Sequence, residues 1–334
     1  MALTDWQRVY GRELSGRCAL VTGAAGFIGS HLVDALLALD VQVRGIDDLS
    51  SGDRANLQSS AASGGRLEFV EASVLDRPVL DKVVTGCDLV FHQAAVPSVP
   101  RSVEQPVESF EAAAVGTLRV LEAARQGGVR RVMYAASSSA YGDTPTLPKI
   151  ESMPPQPMSP YAAAKLSGEH LMQAYAQCYA LDTVSLRYFN IFGPRQHANS
   201  PYSGVIAVFA RSLIGGEPVT INGRGYSRDF TFVDNAVHAN LLAATSDRPL
   251  DGQVMNVGCG DQVTIDALAE QMAAALGQSD LTPRSGPDRP GDVRHSVADL
   301  TRIRQLLGYE PVVRFEHGLA ATMQWYQQTL AASH

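Results

Sequence analysis

The chain is poor in residues that would tie it together covalently. Of 334 residues only four are cysteines, Cys18, Cys87, Cys178 and Cys259, and no two form a C-x-x-C pair. That suggests neither a disulfide framework nor a zinc site, leaves no metal site to expect, and fits a reducing compartment. No apolar run approaches the roughly 20 residues that span a bilayer. The leading stretch MALTDWQRVYGRELSGR is charged throughout and lacks the apolar centre of a signal peptide. Basic residues are in deficit, 27 Lys+Arg against 34 Asp+Glu, for a net charge of −7. With no basic run, neither nucleic acid nor an anionic membrane is an expected partner. Any anionic ligand must be held by a few local donors. Repeats and low-complexity linkers are also lacking. What is present is 45% hydrophobic and 18% charged, enough for a sizeable core in a soluble, cytoplasmic globular protein. Length alone gives a prior of about two domains.

Strand-like and helix-like runs alternate along the first half. Residues 1–16 read as a short leader. Apolar strands are expected at 18–23, 41–47, 66–72, 88–94, 130–137 and 183–190, with helices at 27–39, 106–126 and 159–180. Ser159 is placed to cap the last of these, and Pro160 suits its first position. Such alternation predicts a doubly wound α/β fold of the Rossmann type, a parallel sheet covered by helices on both faces. After residue 190 the pattern breaks into Gly- and Pro-rich loops, with helices near 204–214, 234–245, 264–276, 299–307 and 315–330. We expect residues 17–190 to form mainly a dinucleotide-binding domain. Residues 191–334 are expected to form mainly a smaller C-terminal α/β substrate region, interleaved with the first.

Residues 23–29 read GAAGFIG, between the first strand and the first long helix. Gly23 permits the tight turn, Gly26 lets the backbone approach a pyrophosphate, and Gly29 lets the helix pack on the strand. Asp47 follows Gly23 by 24 residues and ends the second strand, where it can accept from a ribose diol. A carboxylate there repels a 2′-phosphate, so NAD is expected rather than NADP. Arg44 and Arg54 lie near it in sequence and moderate that preference.

The run YAAAK places Tyr161 and Lys165 on one helix face. An ammonium beside a phenol stabilises the phenolate and brings its pKa toward working pH. Upstream, Ser137, Ser138 and Ser139 end the fifth strand, the edge at which parallel sheets bind ligands.

Taken in order, TGAAGFIGSHL (22–32), HQAA (92–95), SSSAYGD (137–143), SPYAAAK (159–165), LRYFNIFGPRQ (186–196), RDFTFVDN (228–235) and RPGDVRHSVADL (289–300) resemble the nucleotide-sugar epimerase branch of the extended short-chain dehydrogenase/reductases. Within it, the stretches 95–102 and 291–300 and the leader look most like the bacterial UDP-N-acetylglucosamine 4-epimerases of surface-polysaccharide synthesis. The resemblance covers residues 17 to 330. It implies that Tyr161 takes the proton of the sugar O4 while the C4 hydride passes to NAD⁺ and returns to the opposite face of a 4-keto sugar. Lys165 would hold the nicotinamide ribose, with Ser137 or Ser138 as the hydroxyl partner. The cofactor set implied is Gly23, Gly26, Phe27, Ile28, Gly29, Asp47, Ser73, Val74, Ala94, Ala95, Tyr161, Lys165 and Tyr188. The substrate set is Ser98, Ser137, Ser138, Tyr161, Asn190, Val205, Arg228, Arg289, Asp292 and Ser296. Ser296 stands where the family gates the sugar pocket: a small residue admits an N-acetyl group and still accepts UDP-glucose and UDP-galactose. Two positions depart from many relatives, Ser73 where Asp is common and Ala113 where Asn is common.

Three other functions compete. A dehydratase of the same scaffold needs an extra acid and base beside the catalytic hydroxyl, a decarboxylase of that scaffold tends to carry an acid there too, and those places hold Ser138 and Ser139. A UDP-glucuronate 4-epimerase needs donors for a carboxylate, for which Arg101 is the one candidate near residues 96–102. A non-catalytic NAD-binding scaffold would not need the Ser/Tyr/Lys set. Apolar residues on more than one face of the helices 106–126 and 160–180, among them Leu118, Val120, Leu171 and Tyr175, lead us to expect a homodimer.

Overall fold

A computed structural model describes residues 3–61, 66–197, 204–287 and 293–331. In chain order the main elements are α1 (Trp6–Tyr10), β1 (Cys18–Thr22), α2 (Phe27–Ala38), β2 (Gln42–Asp47), β3 (Leu67–Glu71), α3 (Arg77–Val84), β4 (Leu89–His92), α4 (Val99–Glu104), α5 (106–126), β5 (Arg131–Ser137), α6 (Pro160–Tyr179), β6 (Asp182–Tyr188), α7 (Val205–Ile214), α8 (Val233–Thr245), β7 (Gln253–Val257), α9 (Ile265–Ala275), α10 (Thr301–Leu307) and α11 (Phe315–Ala331). The sheet runs β7-β6-β5-β4-β1-β2-β3 and every pairing in it is parallel. It is a Rossmann-type sheet with helices on both faces, so β4 and most of β5 are buried on either side. The strand order reverses at β1, and the crevice over the carboxyl ends of β1 and β4 is the place such sheets hold ligands.

The sequence pattern names six strands, and the sheet has seven. The seventh, β7, comes from the C-terminal half and lies parallel to β6, with Val257 opposite Tyr188. Apart from it, α7, α9 and α11 build a separate apolar cluster that includes Phe192, Phe230, Phe232 and Phe315. Short strand pairs such as Ser227–Arg228 with Val263–Thr264 brace this half. The leader carries a short helix, α1: Trp6 and Tyr10 are buried in the core and Asp234 accepts the N–H groups of Leu3 and Thr4.

Two expectations need correction. The helix at 106–126 is interrupted by a π turn, Glu111–Val115. There Thr117 Oγ1 donates to the Ala113 carbonyl at 2.5 Å and meets His92 Nε2 at 3.0 Å, a local widening of the kind π turns produce. Of the four residues named for a subunit contact, Val120 and Tyr175 point into the core. Leu118, also named, is exposed, and so are Val103, Val107 and Phe110 along α4 and α5 and Tyr179 at the end of α6. No helix among the described residues is long and apolar enough to cross a membrane.

Candidate active site

A cavity of about 810 Å³ opens over the carboxyl edge of the sheet. Its first wall is the GAAGFIG turn. Gly23 has φ +66°, and a Cβ there would lie 2.9 Å from the backbone N of Ala94. A Cβ on Gly29 would lie 1.9 Å from the Gly23 carbonyl oxygen. Only glycine permits the chain to turn this closely against β4 and then enter α2, whose free N–H groups face the cavity. Asp47 sits at the floor, buried, its Oδ2 accepting the N–H of Ala25 at 2.9 Å and its Oδ1 that of Leu49 at 2.8 Å. Burial pushes its carboxyl up, and those two N–H groups pull against the shift. Neither nearby arginine lines the cavity. Arg44 Nη1 donates to the carbonyls of Val83 and Thr85, and Arg54 pairs with Glu71 at 3.0 Å. Glycine turn, helix N-terminus and buried carboxylate together fit a dinucleotide without a 2′-phosphate.

The second wall carries the reactive side chains. Ser159 caps α6 by accepting from the Ala162 N–H at 3.1 Å, and this sets the first turn so that Tyr161 and Lys165 both face inward. Lys165 Nζ donates to the Ala135 carbonyl at 2.8 Å and lies 5.0 Å above the Tyr134 ring. Burial pulls its ammonium down to about 7, with Glu169 opposing. Burial raises the Tyr161 phenol, while a hydrogen bond with Ser137 lowers it. Ser137 Oγ in turn accepts from the Ser139 hydroxyl at 2.8 Å and from the Ser139 N–H at 3.2 Å. Tyr134 donates its hydroxyl to the Lys165 carbonyl at 3.2 Å, in space that Gly168 leaves free: a Cβ at 168 would lie 2.3 Å from that oxygen. The set can therefore hold a phenol beside an ammonium and a hydroxyl relay, the requirements for moving a proton at a sugar hydroxyl.

Most of the residues read from the sequence meet here. Phe27, Ile28, Val74, Ala94, Ala95, Ser98, Ser138, Tyr188, Asn190, Arg228 and Ser296 all line the cavity. Asn190 takes a left-handed φ of +33° at the bend after β6. Arg228 Nη1 donates to the carbonyls of Ser227 and Arg294 at 2.9 and 3.1 Å, while the buried Asp229 beside it accepts the N–H groups of Cys259, Gly260 and Ala298. Ser98 caps α4, accepting from the Arg101 N–H at 3.1 Å. Two residues are not brought to the wall. Ser73 turns its hydroxyl to the Leu75 N–H at 3.3 Å, leaving its neighbours Ala72 and Val74 to line the cavity. Val205 starts α7 and packs on the C-terminal apolar cluster. Arg289 and Asp292 lie outside the described residues.

The sequence reading missed several neighbours. Lys149 is buried at the wall, its Nζ donating to the carbonyl and hydroxyl of Thr144. It stands in a loop without periodicity, so no pattern marks it. Gln93 accepts from the Tyr188 hydroxyl at 3.2 Å, and Asn240 donates to that hydroxyl at 2.6 Å. These partners are distant in sequence, which offers no signal for such contacts.

Comparison with known proteins follows the same lines. The model of the NAD-dependent epimerase/dehydratase family matches residues 19–258. A UDP-glucose 4-epimerase of Mycolicibacterium smegmatis is 42% identical over 311 residues, covering 92% of this chain and 98% of that protein. The solved UDP-N-acetylglucosamine 4-epimerase of Methanobrevibacter ruminantium, in complex with UDP-N-acetylmuramic acid, is 38% identical with a TM-score of 0.88, covering 94% of this chain and 99% of its own. A UDP-glucose 4-epimerase of Thermus thermophilus, solved with NAD, is 35% identical with a TM-score of 0.83, covering 93% and 99%.

Proposed function

Because this chain belongs to the NAD-dependent epimerase/dehydratase family, we propose that it interconverts UDP-N-acetylglucosamine and UDP-N-acetylgalactosamine at C4, with some turnover of UDP-glucose and UDP-galactose. That it is an NAD-dependent UDP-sugar 4-epimerase follows from its relatives; the N-acetylated sugar is our reading of the cavity. The observation that carries it is Ser296, a small, buried residue on the cavity wall. An unfilled wall admits an acetamido group and does not reject the smaller sugar.

Residue roles follow from the wall. Gly23, Gly26 and the N-terminus of α2 hold the pyrophosphate of NAD, and Asp47 accepts from its adenosine ribose. Bound NAD supplies a hydride acceptor that gives the hydride back. Tyr161 takes and returns the proton of the sugar O4, with Ser137 or Ser138 bridging to that hydroxyl. Lys165 holds the nicotinamide ribose and, as an ammonium, favours the Tyr161 phenolate. Arg228 and Asn190 bind the diphosphate of the substrate, where the planar guanidinium suits paired oxygens, and Ser98 faces the sugar. The uronate reading is disfavoured because Arg101 is engaged with Glu108 at 2.5 Å and Gln105 at 3.3 Å. The dehydratase reading lacks an acid at Ser138 and Ser139. The exposed Val103, Val107, Phe110 and Leu118 support a two-fold homodimer through α4 and α5.

The test is product analysis of the purified protein without added cofactor on UDP-GlcNAc, UDP-GalNAc, UDP-glucose and UDP-glucuronate. Faster interconversion of the N-acetyl pair than of UDP-glucose is the expected result. Turnover of UDP-glucose or UDP-glucuronate alone would overturn the substrate assignment.

A further inference from the structure

At the opposite edge of the sheet from the cavity, the first residue of β1 meets the residue that leads into β4. Cys18 Sγ and Cys87 Sγ are 3.5 Å apart, and both thiols are free. The two differ in access. Cys18 is partly exposed, whereas Cys87 is 3% exposed and donates its S–H to the Val83 carbonyl at 3.4 Å. Arg44 adds a guanidinium, its Nη1 3.8 Å from Cys87 Sγ. The Cys87 thiol and, less strongly, Arg44 draw the Cys18 thiol down to about 7 against burial and the carboxylates of Asp88 and Glu68. The Cys87 thiol is pushed well above its ordinary value. An accessible thiol ionised near neutrality beside a buried protonated one is the arrangement of an attacking and a resolving cysteine.

We propose that Cys18 and Cys87 form a dithiol modification site, whose co-reactant is a low-molecular-weight disulfide such as oxidised glutathione. The Cys18 thiolate attacks one sulfur of that disulfide, its S–S bond breaks and the first glutathione thiolate leaves. Cys87 then gives up its proton to solvent and attacks Cys18 Sγ, and the second glutathione thiolate leaves. Two protein thiols and one external disulfide thus become one protein disulfide and two external thiols. The other two cysteines lack this pairing. Cys178 is exposed, and the Cys259 thiol is raised by burial to about 12. The bridge would close the chain between residues 18 and 87, the segment that carries the glycine turn and Asp47, and would brace β1 against β4. It would not enter the cavity, since the five residues of β1 separate the pair from Gly23 by about 16 Å at roughly 3.3 Å per residue.

The experiment uses the full chain with Cys178→Ser, incubated with oxidised glutathione, digested with trypsin without reduction and read by mass spectrometry. The expected product is a protein lighter by two hydrogens, in which the peptides 18–44 and 83–101 are joined and dithiothreitol separates them. The Cys87→Ser variant should stop at a glutathione adduct on Cys18. A stable adduct on Cys18 in the parent protein would overturn the proposal. So would two unmodified peptides under conditions that modify Cys178 in the unsubstituted chain. Parent-chain mapping decides the matter even where a serine variant fails to fold.

Discussion

Replacing Asp47 by asparagine removes one charge and little else, yet two separate losses follow from its surroundings. Both carboxylate oxygens are in use: Oδ2 accepts from the Ala25 N–H and Oδ1 from the Leu49 N–H. An amide has one oxygen, so in either orientation its NH₂ faces a backbone N–H. One buried donor is orphaned, which costs about 1–3 kcal/mol of stability. With an unfolding entropy near 2.1 cal/mol/K per residue, the 334 residues give ~0.7 kcal/mol/K, so Tm falls by roughly 1.5–4 °C. The second loss is in cofactor binding. Exchanging a charged acceptor for a neutral one weakens each bond to a ribose hydroxyl by about 1–1.5 kcal/mol, or roughly tenfold in NAD affinity for each bond made. Calorimetric titration of the NAD-stripped protein measures the affinity, and a thermal melt measures the stability. An Asp47→Asn variant that binds NAD as tightly as the parent and melts at the same temperature would refute both arguments.

Three further outcomes are expected. Tyr161→Phe should lower turnover by about 10²–10⁴ through loss of proton transfer while NAD stays bound; near-normal turnover removes Tyr161 as the base. Ser296→Tyr overfills the wall at a cost of about 1–3 kcal/mol, roughly 5- to 150-fold in kcat/KM, for UDP-GlcNAc and not for UDP-glucose; equal losses would show that Ser296 is not the gate. His238 is held neutral by burial, down to about 4 from an ordinary 6.5, with its Nδ1 at 2.6 Å from the Tyr10 hydroxyl. Below 6.5 the unfolded chain binds a proton that the folded chain refuses, so this residue makes stability fall with pH by up to about 1.4 kcal/mol per unit until about 4. His238→Asn should flatten the Tm profile in that window, and an unchanged slope would contradict the neutral assignment.

What could be read in advance was local. The glycine turn, the strand-end Asp47 and the i, i+4 pair Tyr161 and Lys165 are short-range features, and the structure places them all on one cavity. β7 escaped notice because Gln253–Val257 sits in a Gly-rich stretch and becomes a strand by pairing with β6 from far away. The π turn at 111–115 escaped because its residues read EAAAV, a run whose small side chains carry no periodic signal of a register shift. Ser73 and Val205 carried a resemblance but no local cause, and neither reaches the wall. Lys149 depends on long-range contacts: its backbone N–H donates to the Val297 carbonyl, and its own carbonyl accepts from the Asp299 N–H. Those bonds tie its loop to the segment bearing Ser296.

The central claim is that this chain epimerises a UDP-sugar at C4 by moving one hydride off and back onto the same carbon. The most direct measurement uses UDP-GlcNAc deuterated at C4, the purified protein and no added cofactor, with the product read by NMR. The account predicts UDP-GalNAc that retains its deuterium at C4. Deuterium lost to solvent, or the absence of any C4 epimer, would contradict it.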